Sequence, residues 1–99
     1  MGGGEFLEVD PADLHLPGGR REGADFLKLQ RQFSRYGTST AGMPPVKVGR
    51  GSDGELIIYD GVTRATRIAR YAAGEKIAVE VVKELTIPVG SRPTVRETL

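Results

Sequence analysis

Glu55-Leu56-Ile57-Ile58-Tyr59-Asp60-Gly61-Val62-Thr63-Arg64-Ala65-Thr66-Arg67 reads as a strand, a glycine turn and the opening of a helix. The apolar run up to Tyr59 has the residue types of a strand. From Val62 to Ala73 the residues Val62, Ala65, Ile68, Ala69 and Ala72 recur at helical spacing, and Gly74 stops the pattern. Gly61 lets the backbone turn tightly where a side chain would crowd a bound group. Asp60 and Thr63 are the candidate caps. A helix start leaves N–H groups unpaired at the positive end of the dipole, so it suits a phosphate or another anion. Cations favour the opposite end, yet Arg64 and Arg67 stand here, three apart on one side of the helix, with Arg70 and Tyr71 beyond them. Two readings stay open. In one, Gly61, Val62 and Thr63 hold an anion that Arg64 and Arg67 neutralise. In the other, Arg64 braces the turn by pairing with Asp60 or Asp53, and Arg67 lies in solvent.

Working outward, Val46 to Arg50 is a strand entered through Pro44-Pro45, and Gly51-Ser52-Asp53-Gly54 is a hairpin turn. Ala24 to Tyr36 is a helix with Phe26, Leu29, Phe33 and Tyr36 on one stripe, ended by Gly37. Phe6, Phe26 and Phe33 are expected in the core. Glu5 to Val9 forms a short strand, Asp10 to Leu14 a turn, and Pro17 to Gly23 a loop. Ile77 to Val82 alternates as a half-buried strand, and Glu84 to Val89 is expected to add an edge strand. The order of strand, helix, two strands, helix and strand predicts an α+β domain, a small mixed sheet packed against two main helices. The domain spans residues 5–89, between a flexible tail at 1–4 and a peripheral tail at 90–99.

The 14 Lys and Arg residues against 13 Asp and Glu leave a formal charge of +1, so the bulk balance says little about partners. Their distribution says more, because Lys28, Arg31, Arg35, Lys47, Arg50, Arg64, Arg67 and Arg70 occupy the middle of the chain. Such a face suits an anionic small molecule or a short stretch of nucleic acid, although an ordinary solvated surface reads the same way. The chain has no cysteine, which excludes disulfides, thiolate metal sites and a cysteine nucleophile. With one histidine, His15, a multi-histidine metal site cannot be built within one chain. No apolar run approaches membrane-spanning length, so no membrane partner is expected.

The stretches Asp10-Pro11 with Leu14, Tyr36-Gly37, Pro44-Pro45-Val46-Lys47-Val48, Asp53-Gly54, Asp60-Gly61-Val62-Thr63-Arg64 and Gly74 before Ile77-Ala78-Val79-Glu80-Val81 carry a resemblance. Over Val9 to Val82 the chain resembles the ParB/sulfiredoxin superfamily, also described as the ParB-like nuclease domain. In that family the strand–Gly–x–x–Arg–helix element holds nucleotide phosphates, and Gly61 and Arg64 match its glycine and arginine. The resemblance implies a ParB/sulfiredoxin-like fold that binds ATP or CTP, with Mg2+ as a companion ion. Val62 stands where sulfiredoxin carries its catalytic cysteine, so a sulfinic-acid reductase is excluded. Val62 and Thr63 also replace the Glu and Arg of partitioning proteins, and the chain has no room for their helix-turn-helix region.

The string Gln30 to Gly37, with Gly42-Met43-Pro44-Pro45 and Asp60 to Arg67, looks most like small single-domain members, some of them toxin modules of bacterial secreted polymorphic toxins. That likeness implies a nuclease or nucleotide-processing toxin acting in a target-cell cytoplasm, with an immunity protein as partner. Otherwise the expected compartment is cytoplasmic. For a hydrolytic reaction the candidate bases are Asp60, Asp10 and His15. Glu8, Asp10 and Asp13 serve as carboxylate candidates for a kinase-like reaction if the N-terminal segment folds back over the site. Tyr36, beside Gly37 and Thr38, is placed either in the core or against a phosphate. The alternative to an enzyme is a non-catalytic module that binds a nucleic acid or a protein through the basic faces of its two helices.

Overall fold

The computed structural model describes residues 4–99. Of the tail expected at 1–4, residues 1–3 lie outside that range, and the Gly4 N–H donates to a Glu80 carboxylate oxygen. Four strands form one sheet: β1 (Glu5–Val9), β2 (Val46–Arg50), β3 (Leu56–Asp60) and β4 (Ile77–Glu84). Their spatial order is β1-β4-β2-β3. β1 and β3 run antiparallel to their neighbours, while β2 and β4 are parallel, so the sheet is mixed as expected. A parallel pair needs a crossover connection, and here α2 (Val62–Tyr71) lies in the β2–β3–α2–β4 path. The period-two alternation places Leu7, Val9, Val46, Val48, Ile58, Ile77, Val79 and Val81 in one core. α2 adds Val62, Ala65, Ile68 and Ala69 to it, and its two alanines allow a close approach to the sheet.

The first helix, α1 (Phe26–Tyr36), begins at Asp25, whose carboxylate accepts from the Lys28 N–H at 3.0 Å. It packs on α2, and Leu29 is its one buried residue. The expected aromatic core is therefore corrected: Phe26 is 63% exposed, and Phe33 lies at the surface against the Tyr71 ring at 4.2 Å. Phe6, 61% exposed, alternates with Leu7 and takes the opposite face of the sheet. Aliphatic side chains already fill the space between sheet and α2, which leaves the aromatics outside.

Two further expectations change. Residues 85–89 form no edge strand, because Asp53 gathers them into a knot: its carboxylate accepts from Val89 N–H at 3.3 Å and Gly90 N–H at 2.9 Å. Nor is the segment 90–99 peripheral. Leu14–Leu16 runs beside β3, with His15 N–H donating to Leu56 O at 2.9 Å, and Val95 N–H donates to Leu14 O at 2.9 Å on the other side. Val95 is fully buried. The outer edge of β3 is thus covered twice, which removes a free strand edge.

Candidate functional site

Gly61 has a left-handed φ of +117° and occupies the N-cap of α2 without any side-chain cap. Neither Asp60 nor Thr63 takes the capping role. A Cβ on Gly61 would stand 3.0 Å from Val46 Cγ2 and 2.9 Å from Arg64 Nη2, so backbone and guanidinium approach each other as only glycine allows. The first bond of the helix is Ala65 N–H to Gly61 O at 2.9 Å. The N–H groups of Val62, Thr63 and Arg64 precede it in the chain, as the unpaired donors of a helix start do.

Arg64 is folded back over the turn. Its Nη2 donates to Pro45 O at 3.2 Å and stands 3.6 Å from Asp60 Oδ2. The brace to Asp60 is therefore present as a loose ion pair, while Asp53 is engaged with the 89–90 backbone. The Arg64 Nε is buried and has no hydrogen-bond partner among the described residues. A charged donor left unpaired out of water is costly.

Arg67 is neither solvated nor free. It is 2% exposed, and its Nη1 donates to Gly37 O at 2.9 Å and Ser39 O at 2.8 Å. Nε reaches Gln32 Oε1 and Nη2 reaches the Met43 thioether, both at 3.3 Å. The Tyr36 ring lies 5.3 Å from its guanidinium carbon. Burial lowers the Arg67 pKa from its ordinary value, opposed by the neighbouring Tyr36. These contacts make Arg67 the clamp of the 37–43 loop onto α1 and α2.

Two cavities that share lining residues flank this constellation. One, of about 270 Å³, lies between the β3–α2 turn and α1, where Arg20, Lys28 and Gln32 face Asp60 and the Gly61–Arg64 backbone. The other, of about 240 Å³, is walled by Tyr36, Met43, Pro44 and Arg67. Gln32 and Arg64 line both. Gly61, Val62, Thr63 and Arg64 thus converge on the first cavity, and Tyr36, Arg64 and Arg67 on the second. Arg20, Lys28 and Gln32 were not among the expected site residues. The spacing of Lys28 and Gln32, one turn apart on α1, was the available signal.

Of the candidate bases, Asp60 lines the cavity at the β3–α2 turn. Asp10 caps the Pro11–Asp13 turn through the Ala12 N–H at 2.9 Å. His15 is buried with Nδ1 at 2.7 Å from Arg92 O and Nε2 at 3.0 Å from Glu55 Oε1, joining the C-terminal segment to the β2–β3 hairpin. Asp13 pairs with Arg96, and Glu8 lies on edge strand β1 opposite Ala78. The N-terminal segment thus brings no carboxylate to the turn. Among the described residues no group of three or more His, Asp or Glu side chains is placed to hold a metal ion, and no helix is long and apolar enough to cross a membrane. Compared with protein-family models, curated proteins and solved structures, the chain finds no match in any of the three.

Proposed function

We propose that this protein binds a nucleotide through its phosphate, at the trough between α1 and the β3–α2 turn. The observation that carries the reading is Arg64 at the helix start, which lines both cavities and whose buried Nε has no partner among the described residues. A phosphate over Thr63 would pair with the Arg64 guanidinium and accept from the N–H groups of the helix start. Arg20 and Lys28 face the same volume and would balance its charge. The cavity of Tyr36, Met43 and Pro44 then takes the nucleoside, since it offers an aromatic edge, a thioether and a proline ring.

ATP and CTP are the nucleotides proposed. Mg2+ would arrive on the phosphates and keep most of its waters, as this ion commonly does. Binding is the step supported best. Among the described residues Asp60 is the one carboxylate lining the phosphate cavity, and it lies 3.6 Å from Arg64 Nη2. If the bound nucleotide or phosphodiester is hydrolysed, Asp60 is the base we propose. Calorimetry with ATP and CTP, with and without Mg2+, tests the reading. Arg64→Ala should weaken binding by about 10- to 150-fold, the worth of one charged hydrogen bond of about 1.5–3 kcal/mol. A folded Arg64→Ala protein with undiminished affinity would falsify it.

A further inference from the structure

One wall of the phosphate cavity is Arg20. That side chain also lines a third and larger cavity of about 700 Å³, bounded by residues 18–26. Its wall is built from two successive turns, Arg20 N–H to Pro17 O and Gly23 N–H to Arg20 O, each at 2.9 Å. Gly23 holds a left-handed φ of +95° and packs under the Thr98 side chain, which ties the wall to the C-terminal segment.

The charges of these two cavities differ. The middle cavity has Arg20, Lys28 and Arg64 against Asp60. The third cavity sets Arg20 and Arg21 against Glu22 and Asp25, and so carries no net charge. It also presents Phe26, an aromatic ring 63% exposed at the start of α1. A neutral compartment with an open ring suits a nucleobase and its sugar rather than a second phosphate, because base faces stack on aromatic side chains. The basic centre thus lies between two spaces that can each take a nucleoside, one at Tyr36 and a larger one at Phe26.

Building on the phosphate-binding reading above, we propose that the ligand is a phosphodiester, a dinucleotide unit of single-stranded nucleic acid with one nucleoside on each side of the Gly61–Arg64 cradle. The bridging phosphate sits over Thr63, where the basic residues converge. The strand enters past Phe26 and leaves past Tyr36, or the reverse.

Titration with thymidine 5′-monophosphate, TpT and UpU separates the possibilities. The dinucleotides should bind about tenfold tighter than the monophosphate, as expected for one added base–aromatic stack. Phe26→Ala should erase that advantage while leaving monophosphate affinity unchanged. Because Phe26 is surface-exposed, this variant keeps its fold, which thermal unfolding checks. Arg64→Ala should weaken all three ligands. TpT and UpU binding no tighter than the monophosphate, or full dinucleotide affinity in Phe26→Ala, would overturn the proposal and leave phosphate binding intact. Failure of all three ligands, and of ATP and CTP, to bind would overturn both.

Discussion

Replacing Arg67 with methionine separates a structural arginine from a ligand-binding one. The substitution keeps an unbranched chain of similar reach in a site that is 2% exposed, and removes the donors to Gly37 O and Ser39 O. Two charge-assisted bonds at about 1.5–3 kcal/mol each amount to roughly 3–6 kcal/mol. Against that, the buried cation has only neutral partners around it, and removing it recovers a desolvation penalty of several kcal/mol. Water can also reach the freed Ser39 carbonyl, since Ser39 is exposed. We take the net loss as about 2 kcal/mol, which for a domain of this size lowers Tm by roughly 8–16 °C. Thermal unfolding without ligand is the assay, followed by hydrogen exchange of the 37–43 amides. Exchange there should rise more than in β2 and β4, because the clamp holds that loop. An unchanged Tm would refute the reasoning, since an arginine that served only a ligand could be removed from the free protein within about 0.5 kcal/mol.

Gly61→Ala should destabilise by about 1–3 kcal/mol, from the left-handed backbone and the crowding of Val46 and Arg64, and should displace Arg64 from the cradle. Urea unfolding together with nucleotide titration checks both effects, and a stable variant with wild-type affinity would contradict the geometry. The Asp53 carboxyl is pushed up by desolvation but held below its ordinary value of 3.8 by N–H donors from Gly90, Val89 and Glu55. A depressed folded pKa means that its contribution is complete above the unfolded value and lost as pH falls through the lower folded one. Asp53→Asn should therefore lose stability at neutral pH and show a shallower decline below about pH 4 than the parent. Parallel curves for the two proteins across that range would count against the knot at residues 89–90.

Local chemistry made much of this molecule legible. Strand limits at Glu5–Val9 and Val46–Arg50, the helix from Val62 and the left-handed turn at Gly61 all follow from alternation, helical spacing and glycine's freedom at positive φ. The α+β class follows from the order of those elements. The anion-suited helix start at Gly61–Arg64 was equally readable, because unpaired amides are a property of any helix N-terminus.

The roles of Arg64 and Arg67 lay beyond such rules. Three residues apart on α2, they look alike in the chain, but one abuts the turn and the other is swallowed by a loop from α1. That difference depends on where residues 37–43 return, a long-range matter of packing. For the same reason Lys28 joined the site only through the docking of α1, and Arg20 through the turn at Gly18–Arg20 before it, while Asp10 and His15 were drawn into caps and edge contacts. The aromatic stripe of α1 misled because periodicity reports that a helix has an apolar side, and not how much of that side a core already filled by Val, Ile and Ala can still cover. Residues 90–99 carry no strong pattern, yet they complete the sheet, because a strand edge recruits whichever backbone lies in reach.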